Sequence, residues 1–98
     1  MTDIQDALHR AGIALFQDGD VTGALEKLAA ALALAETRAD IAADLGVVQH
    51  AAGNLNEAEA YLTQACASDP GNVDYVFNLA RVLSAQGRDA EAEKAYRQ

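Results

Sequence analysis

The sequence predicts an all-α fold built of repeated helical hairpins, and three observations support this prediction. Proline occurs once, at Pro70, and runs of β-branched residues are nearly absent, so little favours a sheet. Apolar residues recur with the spacing that gives a helix one buried face. Gly19, Gly53 and Gly87 are separated by a constant interval of 34 residues, which indicates a repeated structural unit.

Other positions keep the same register when the units are aligned on these glycines. Three further columns hold similar residues in every unit, and two of them hold small ones. The columns are Gly12, Gly46 and Ala80; Ala24, Ala58 and Ala92; and Leu28, Leu62 and Tyr96. Small residues at fixed places let neighbouring helices approach closely, so the repeat predicts tightly packed helix pairs.

The first unit contains two predicted helices joined by a turn. Apolar residues at helical spacing mark the first helix, from residue 3 to about residue 17. Gly19 can take the backbone conformation that ends this helix, and Asp20 can accept hydrogen bonds from the free N–H groups of the next. Leu28 and Leu32 belong to the apolar stripe of that second helix.

The second and third units repeat this pattern with small changes. Gly53 and Asn54 form the turn of the second unit. In the third unit Gly87 follows a helix predicted over residues 73–86, but Arg88 stands at the capping position, so we expect the weakest cap there. Pro70 marks the end of the second unit, whereas the end of the first, near residues 35–38, is less clearly marked.

A helix–turn–helix of 34 residues with small residues at these positions resembles the tetratricopeptide repeat. The resemblance implies a right-handed α-solenoid of antiparallel hairpins with about six helices, in a single domain over residues 1–98. The repeats would be 5–38, 39–72 and 73–98, the third incomplete. Because a last hairpin without a neighbour leaves its face uncovered, we expect Ala92, Ala95 and Tyr96 to be partly exposed there and to permit self-association.

Charge and composition exclude several classes of function. The formal charge of −8, with only seven Lys and Arg, argues against binding nucleic acid or an anionic membrane surface. The sequence shows neither a signal peptide nor an apolar run long enough to span a membrane, so we expect a cytoplasmic protein. It also lacks enzyme and metal-site motifs, so we expect no catalysis and no cofactor. The single cysteine, Cys66, is interpreted as a core filler.

The resemblance also implies where a partner would bind. In this family the first helix of each hairpin lines a concave groove, and six positions of that helix face the groove. The predicted groove residues are Asp6, His9, Arg10, Ile13, Phe16, Gln17, Asp40, Asp44, Val47, His50, Asp74, Phe77, Asn78 and Arg81. Apolar side chains among acidic neighbours predict a protein or peptide partner that is basic or apolar.

Structural roles compete with binding at several of these positions. Asp40 and Asp74 lie near helix starts, where a carboxylate favours the positive end of the helix dipole. Phe16 and Phe77 could be ordinary packing residues, and His9 could approach His50 across neighbouring helices. Binding remains the alternative for each of them.

Some members of the family hold a terminal carboxylate of a peptide with five polar residues. The matching positions here hold His9, Ile13, Asp44, Asp74 and Asn78. Two acidic residues would repel a carboxylate, so this mode of binding is excluded. The functions left open are a protein-interaction scaffold, a substrate-docking or self-assembly module of a larger bacterial enzyme, and a secretion-type chaperone.

Overall fold

A computed structural model describes residues 3–34 and 38–97, which form six α-helices and no strand. The helices are α1 (Ile4–Gln17), α2 (Val21–Leu34), α3 (Ala39–Ala51), α4 (Leu55–Ser68), α5 (Val73–Ala85) and α6 (Asp89–Tyr96). The all-α prediction is confirmed, and the predicted bounds agree to within a residue or so. The boundary predicted near residues 35–38 lies mostly outside the described residues.

The helices pack as three hairpins in a row, α1 with α2, α3 with α4 and α5 with α6. Each hairpin continues onto the next through α2 against α3 and α4 against α5. The first helices also contact one another, α1 with α3 and α3 with α5, whereas the described parts of α2, α4 and α6 make no such contacts. The row therefore curves, and α1, α3 and α5 line its inner face, the concave groove.

Glycine allows the two helices of a hairpin to touch. A Cβ atom added to Gly12 would lie 2.7 Å from Cγ of Leu28, and one added to Gly46 would lie 2.7 Å from Cγ of Leu62. Non-bonded carbon atoms do not approach so closely, so both leucines pack directly on the backbone of the facing helix. The close approach predicted from the small residues is confirmed.

The turns inside the hairpins explain the glycine spacing. Gly19, Gly53 and Gly87 have φ angles of 88°, 85° and 77°, in the left-handed region that residues with a Cβ atom adopt at a cost. Each glycine stands two residues past the end of the first helix of its hairpin. The glycine interval therefore reports the length of the structural repeat.

The caps of the second helices differ between hairpins. The Gly23 N–H donates to Oδ1 of Asp20 at 2.8 Å, so the cap predicted for α2 is present. Asn54 precedes α4 in the predicted turn, but its side chain donates to Oε1 of Gln49 at 2.7 Å and makes no cap bond. Arg88 also provides no side-chain cap, as expected from its lack of an acceptor.

The largest core cluster lies between α2, α3 and α4 and reaches α5. Its fully buried larger side chains are Leu28, Ile41, Leu45, Leu62 and Val82. A smaller cluster joins α5 to α6 through Ala80, Leu83 and Ala92.

Two expectations about burial are corrected. Ala92 is only 2% exposed, because it faces Ala80 on α5, whereas Tyr96 is 49% exposed as predicted. Cys66 is only half-buried and is absent from the buried core, so its interpretation as a core filler was wrong. Partial burial raises the pKa of the Cys66 thiol, which disfavours the reactive thiolate.

Candidate binding groove

The concave groove contains a pocket of about 280 Å³, called here the groove pocket. Phe16 of α1 and Val47 of α3 form apolar walls, and the fully buried Leu62 of α4 forms the floor. The remaining lining residues come from α3 and α5, and they are His50, Ala51, Asn78 and Arg81. All three first helices therefore contribute to one pocket.

The polar side chains of the groove pocket have no partners among the residues that the structure describes. His50, Asn78 and Arg81 make no side-chain hydrogen bond or ion pair with the described residues. His50 and Asn78 are half-buried, and Arg81 is exposed. Each can donate a hydrogen bond, and Arg81 carries a permanent positive charge. The rim thus presents unused donors above an apolar floor.

The other half of the groove is built differently, because Arg38 joins α1 to α3 there. Nη1 of Arg38 lies 2.9 Å from Oδ1 of Asp6, and its Nε and Nη2 lie 2.8 and 2.7 Å from the two carboxylate oxygens of Asp40. The hydrogen bonds from Arg38 hold the pKa of Asp40 below its usual range. These carboxylates therefore already have a cationic partner.

His9 forms a second link between the same two helices. Its Nε2 lies 2.6 Å from Oδ2 of Asp44, and its Nδ1 lies 3.9 Å from Oδ2 of Asp40. The His9 side chain is only 13% exposed, so it belongs to the contact between hairpins. His9 pairs with Asp44 rather than with His50, which lines the groove pocket instead.

Phe77 does not join the other predicted anchors. Its ring packs against Tyr96 with centroids 5.5 Å apart, and it remains 52% exposed. It lines a second pocket of about 270 Å³, the end pocket, together with Pro70, Gly71, Val73, Val76, Ala95 and Tyr96. The equivalent residue of the second hairpin, Ala43, is buried. This helix position therefore faces along the solenoid toward the next hairpin.

The other predicted residues lie around the groove without entering its pocket. Ile13 is half-buried on α1, and Arg10 and Gln17 are exposed on the same helix. Asp74 is exposed, and its N–H donates to Oδ1 of Asn72 at 3.0 Å. Asn72, not Asp74, therefore caps α5.

Sequence reasoning missed two residues that shape the groove. Leu62 lies on a second helix, where it packs on the backbone of Gly46 and borders the groove pocket from beneath. The repeat column that it shares with Leu28 and Tyr96 was an available signal. Arg38 gave no such signal, because its pairing with Asp6 depends on contact between residues far apart in the chain.

The described residues contain no helix long and apolar enough to cross a membrane. These described residues also contain no group of three or more His, Cys, Asp or Glu side chains that could hold a metal ion.

Stacked helical hairpins with a 34-residue period and a concave groove define an α-solenoid protein. Two sequence profiles of the tetratricopeptide repeat match the chain, one over residues 9–73 and the other over residues 49–98. The chain therefore belongs to the tetratricopeptide repeat family, and its six helices are consistent with three repeats. A search of curated proteins found no match.

Several solved structures share the fold. A mutant O-GlcNAc transferase from Thermobaculum terrenum is 27% identical, with a TM-score of 0.89 over 97% of this chain and 19% of the transferase. The Yersinia enterocolitica secretion chaperone SycD, in complex with a peptide of the translocator YopD, is 22% identical with a TM-score of 0.90, over 97% of this chain and 72% of SycD.

YrrB, described as a tetratricopeptide protein with an unusual peptide-binding site, is 22% identical with a TM-score of 0.89. The match covers 97% of this chain and 48% of YrrB. This chain thus spans about a fifth of the transferase and about half of YrrB.

Proposed function

We propose that this chain is a non-catalytic protein-interaction module that binds a peptide or protein segment in the concave groove. The groove pocket is the observation that carries the proposal. Phe16 and Val47 offer an apolar surface above the buried Leu62 that a partner side chain can cover, and donors without a partner among the described residues surround it. Peptide sites commonly combine such an apolar anchor point with a few orienting polar groups.

The likeness to peptide-binding proteins supports the same proposal. SycD is described in complex with a peptide, and YrrB is described with a peptide-binding site. Both share the fold over nearly all of this chain. The expected partner therefore presents an extended or helical segment with at least one apolar side chain.

Panning a random phage-displayed peptide library tests this function and requires no assumption about the partner's sequence. Wild type should retain peptides well above an uncoated surface, and Val47→Arg should retain about tenfold fewer, because the arginine fills the groove pocket. Leu34→Arg is the matched control, since Leu34 is exposed at the end of α2, away from the groove.

Helical circular dichroism should be the same for all three proteins. If wild type retains no peptides, or if Val47→Arg retains as many as Leu34→Arg does, the groove is not the binding site.

Self-assembly is a second candidate, and the end pocket favours it. Val73, Phe77 and Tyr96 are large apolar side chains that remain exposed around one depression. Burying them against another copy of the chain would stabilise a dimer through the hydrophobic effect. Light scattering should then show a mass that rises with concentration in wild type but not in Phe77→Ala. A monomer at every concentration would exclude this candidate.

A further inference from the structure

The carboxylates of the concave groove are mostly occupied within the protein. Asp6 and Asp40 bind Arg38, and Asp44 binds His9. A lysine or arginine of a partner would have to displace these existing links, which also hold α1 against α3. Three of the four acidic groove positions are thus poor attractors for a basic ligand, in spite of the acidic composition of the chain.

The groove pocket has the opposite character. Its polar rim consists of His50, Asn78 and Arg81, and none of their side chains is paired with a described residue. These groups come from two helices, α3 and α5, and surround the same apolar floor. The donor groups of these three side chains have no acceptor among the described residues. A carboxylate is the acceptor that an arginine binds most strongly.

We propose that the groove pocket takes an apolar side chain whose neighbour in the partner carries a carboxylate, so that the preferred segment contains an apolar residue beside Asp or Glu. The proposal rests on the proposed function and names the chemistry of its ligand. It replaces the expectation of a basic partner, because most of the acidic groove residues that suggested such a partner are already paired within the protein. A lysine at the same place would meet the charge of Arg81.

The composition of selected peptides tests this preference directly. Peptides retained by wild type should be enriched in Asp and Glu next to an apolar residue, relative to the starting library. Arg81→Glu should lose that enrichment and favour Lys and Arg instead. Lys27→Glu makes the same change of charge on α2, outside the groove pocket, and should select the same acidic peptides as wild type.

A peptide from the wild-type pool, synthesised with its acidic residue changed to glutamine, should bind about three to ten times more weakly, as a partly exposed charged hydrogen bond implies. The difference should shrink at high salt. A wild-type pool enriched in basic residues, or one with the charge composition of the library, would overturn the proposal while leaving peptide binding intact. Failure to retain any peptide would refute the proposed function itself, and this inference with it.

Discussion

Gly46 tests the packing on which both the hairpin and the groove pocket depend. Gly46 lies inside α3, where replacing glycine by alanine ordinarily stabilises a helix by about 1 kcal/mol. Here the added Cβ atom would lie 2.7 Å from Cγ of Leu62 and 3.3 Å from the carbonyl oxygen of Ala58. Gly46→Ala should therefore destabilise the protein.

The size of the effect follows from how little Leu62 can move. Cγ is the branch point of the side chain, and Leu62 is fully buried, so relief requires a new rotamer or a shift of α4. Overpacking of this kind costs about 1–3 kcal/mol. After the gain in helix propensity, a net loss of about 1 kcal/mol remains, which lowers the melting temperature of a domain this size by about 4–8 °C.

Thermal unfolding followed by circular dichroism measures this change. Gly71→Ala is the matched control, because Gly71 has open space around it and no positive φ, and it should be neutral or slightly stabilising. In a Leu62→Ala background, Gly46→Ala should no longer destabilise. A melting temperature of Gly46→Ala above that of wild type would refute the close contact between α3 and α4.

Three further predictions concern turns, caps and charge. Gly19→Ala should lower the free energy of unfolding by about 1–2 kcal/mol, as measured by thermal unfolding, because alanine is strained at the φ of 88° that Gly19 adopts. An unchanged free energy of unfolding would refute the left-handed turn. Asn72→Ala should lower the free energy of unfolding by about 1 kcal/mol and speed amide hydrogen exchange in the first turn of α5, because two N–H groups lose their acceptor. Unchanged exchange rates would contradict this cap. Because the pKa of Asp40 is lowered in the folded state, the unfolded state takes up this proton at a higher pH than the folded state does. The stabilisation that Asp40 contributes is therefore lost as pH falls from about 5 through the lowered pKa. Melting temperatures of wild type and Arg38→Gln should therefore converge at low pH, and a constant difference would contradict the pairing.

The repeat could be predicted from the sequence because its signals are local. Gly19 and Gly87 mark turns by their own backbone angles, and the pattern of apolar residues gives the helices within a residue or so. Gly12 indicated a close approach of the two helices of its hairpin, because a Cβ atom at that position would collide with the facing helix. Each of these features depends on residues of a single hairpin.

The groove was harder to predict because its charges depend on distant partners. Asp6 and Asp44 occupy groove positions of α1 and α3, but their pairing with Arg38 and His9 requires the folded contact between hairpins. Phe77 follows the helix periodicity of a groove residue, yet it turns toward Tyr96 in the end pocket. Position along a helix predicts a face and not the partner of a side chain.

The central claim is that a peptide binds in the concave groove, and an NMR titration tests it most directly. Amide shifts of isotope-labelled protein would be followed as a peptide retained by wild type is added. The largest changes should cluster at Phe16, Val47, His50 and Asn78, on α1, α3 and α5. Changes centred on α2 and α4, or on the end pocket around Tyr96, would contradict the claim.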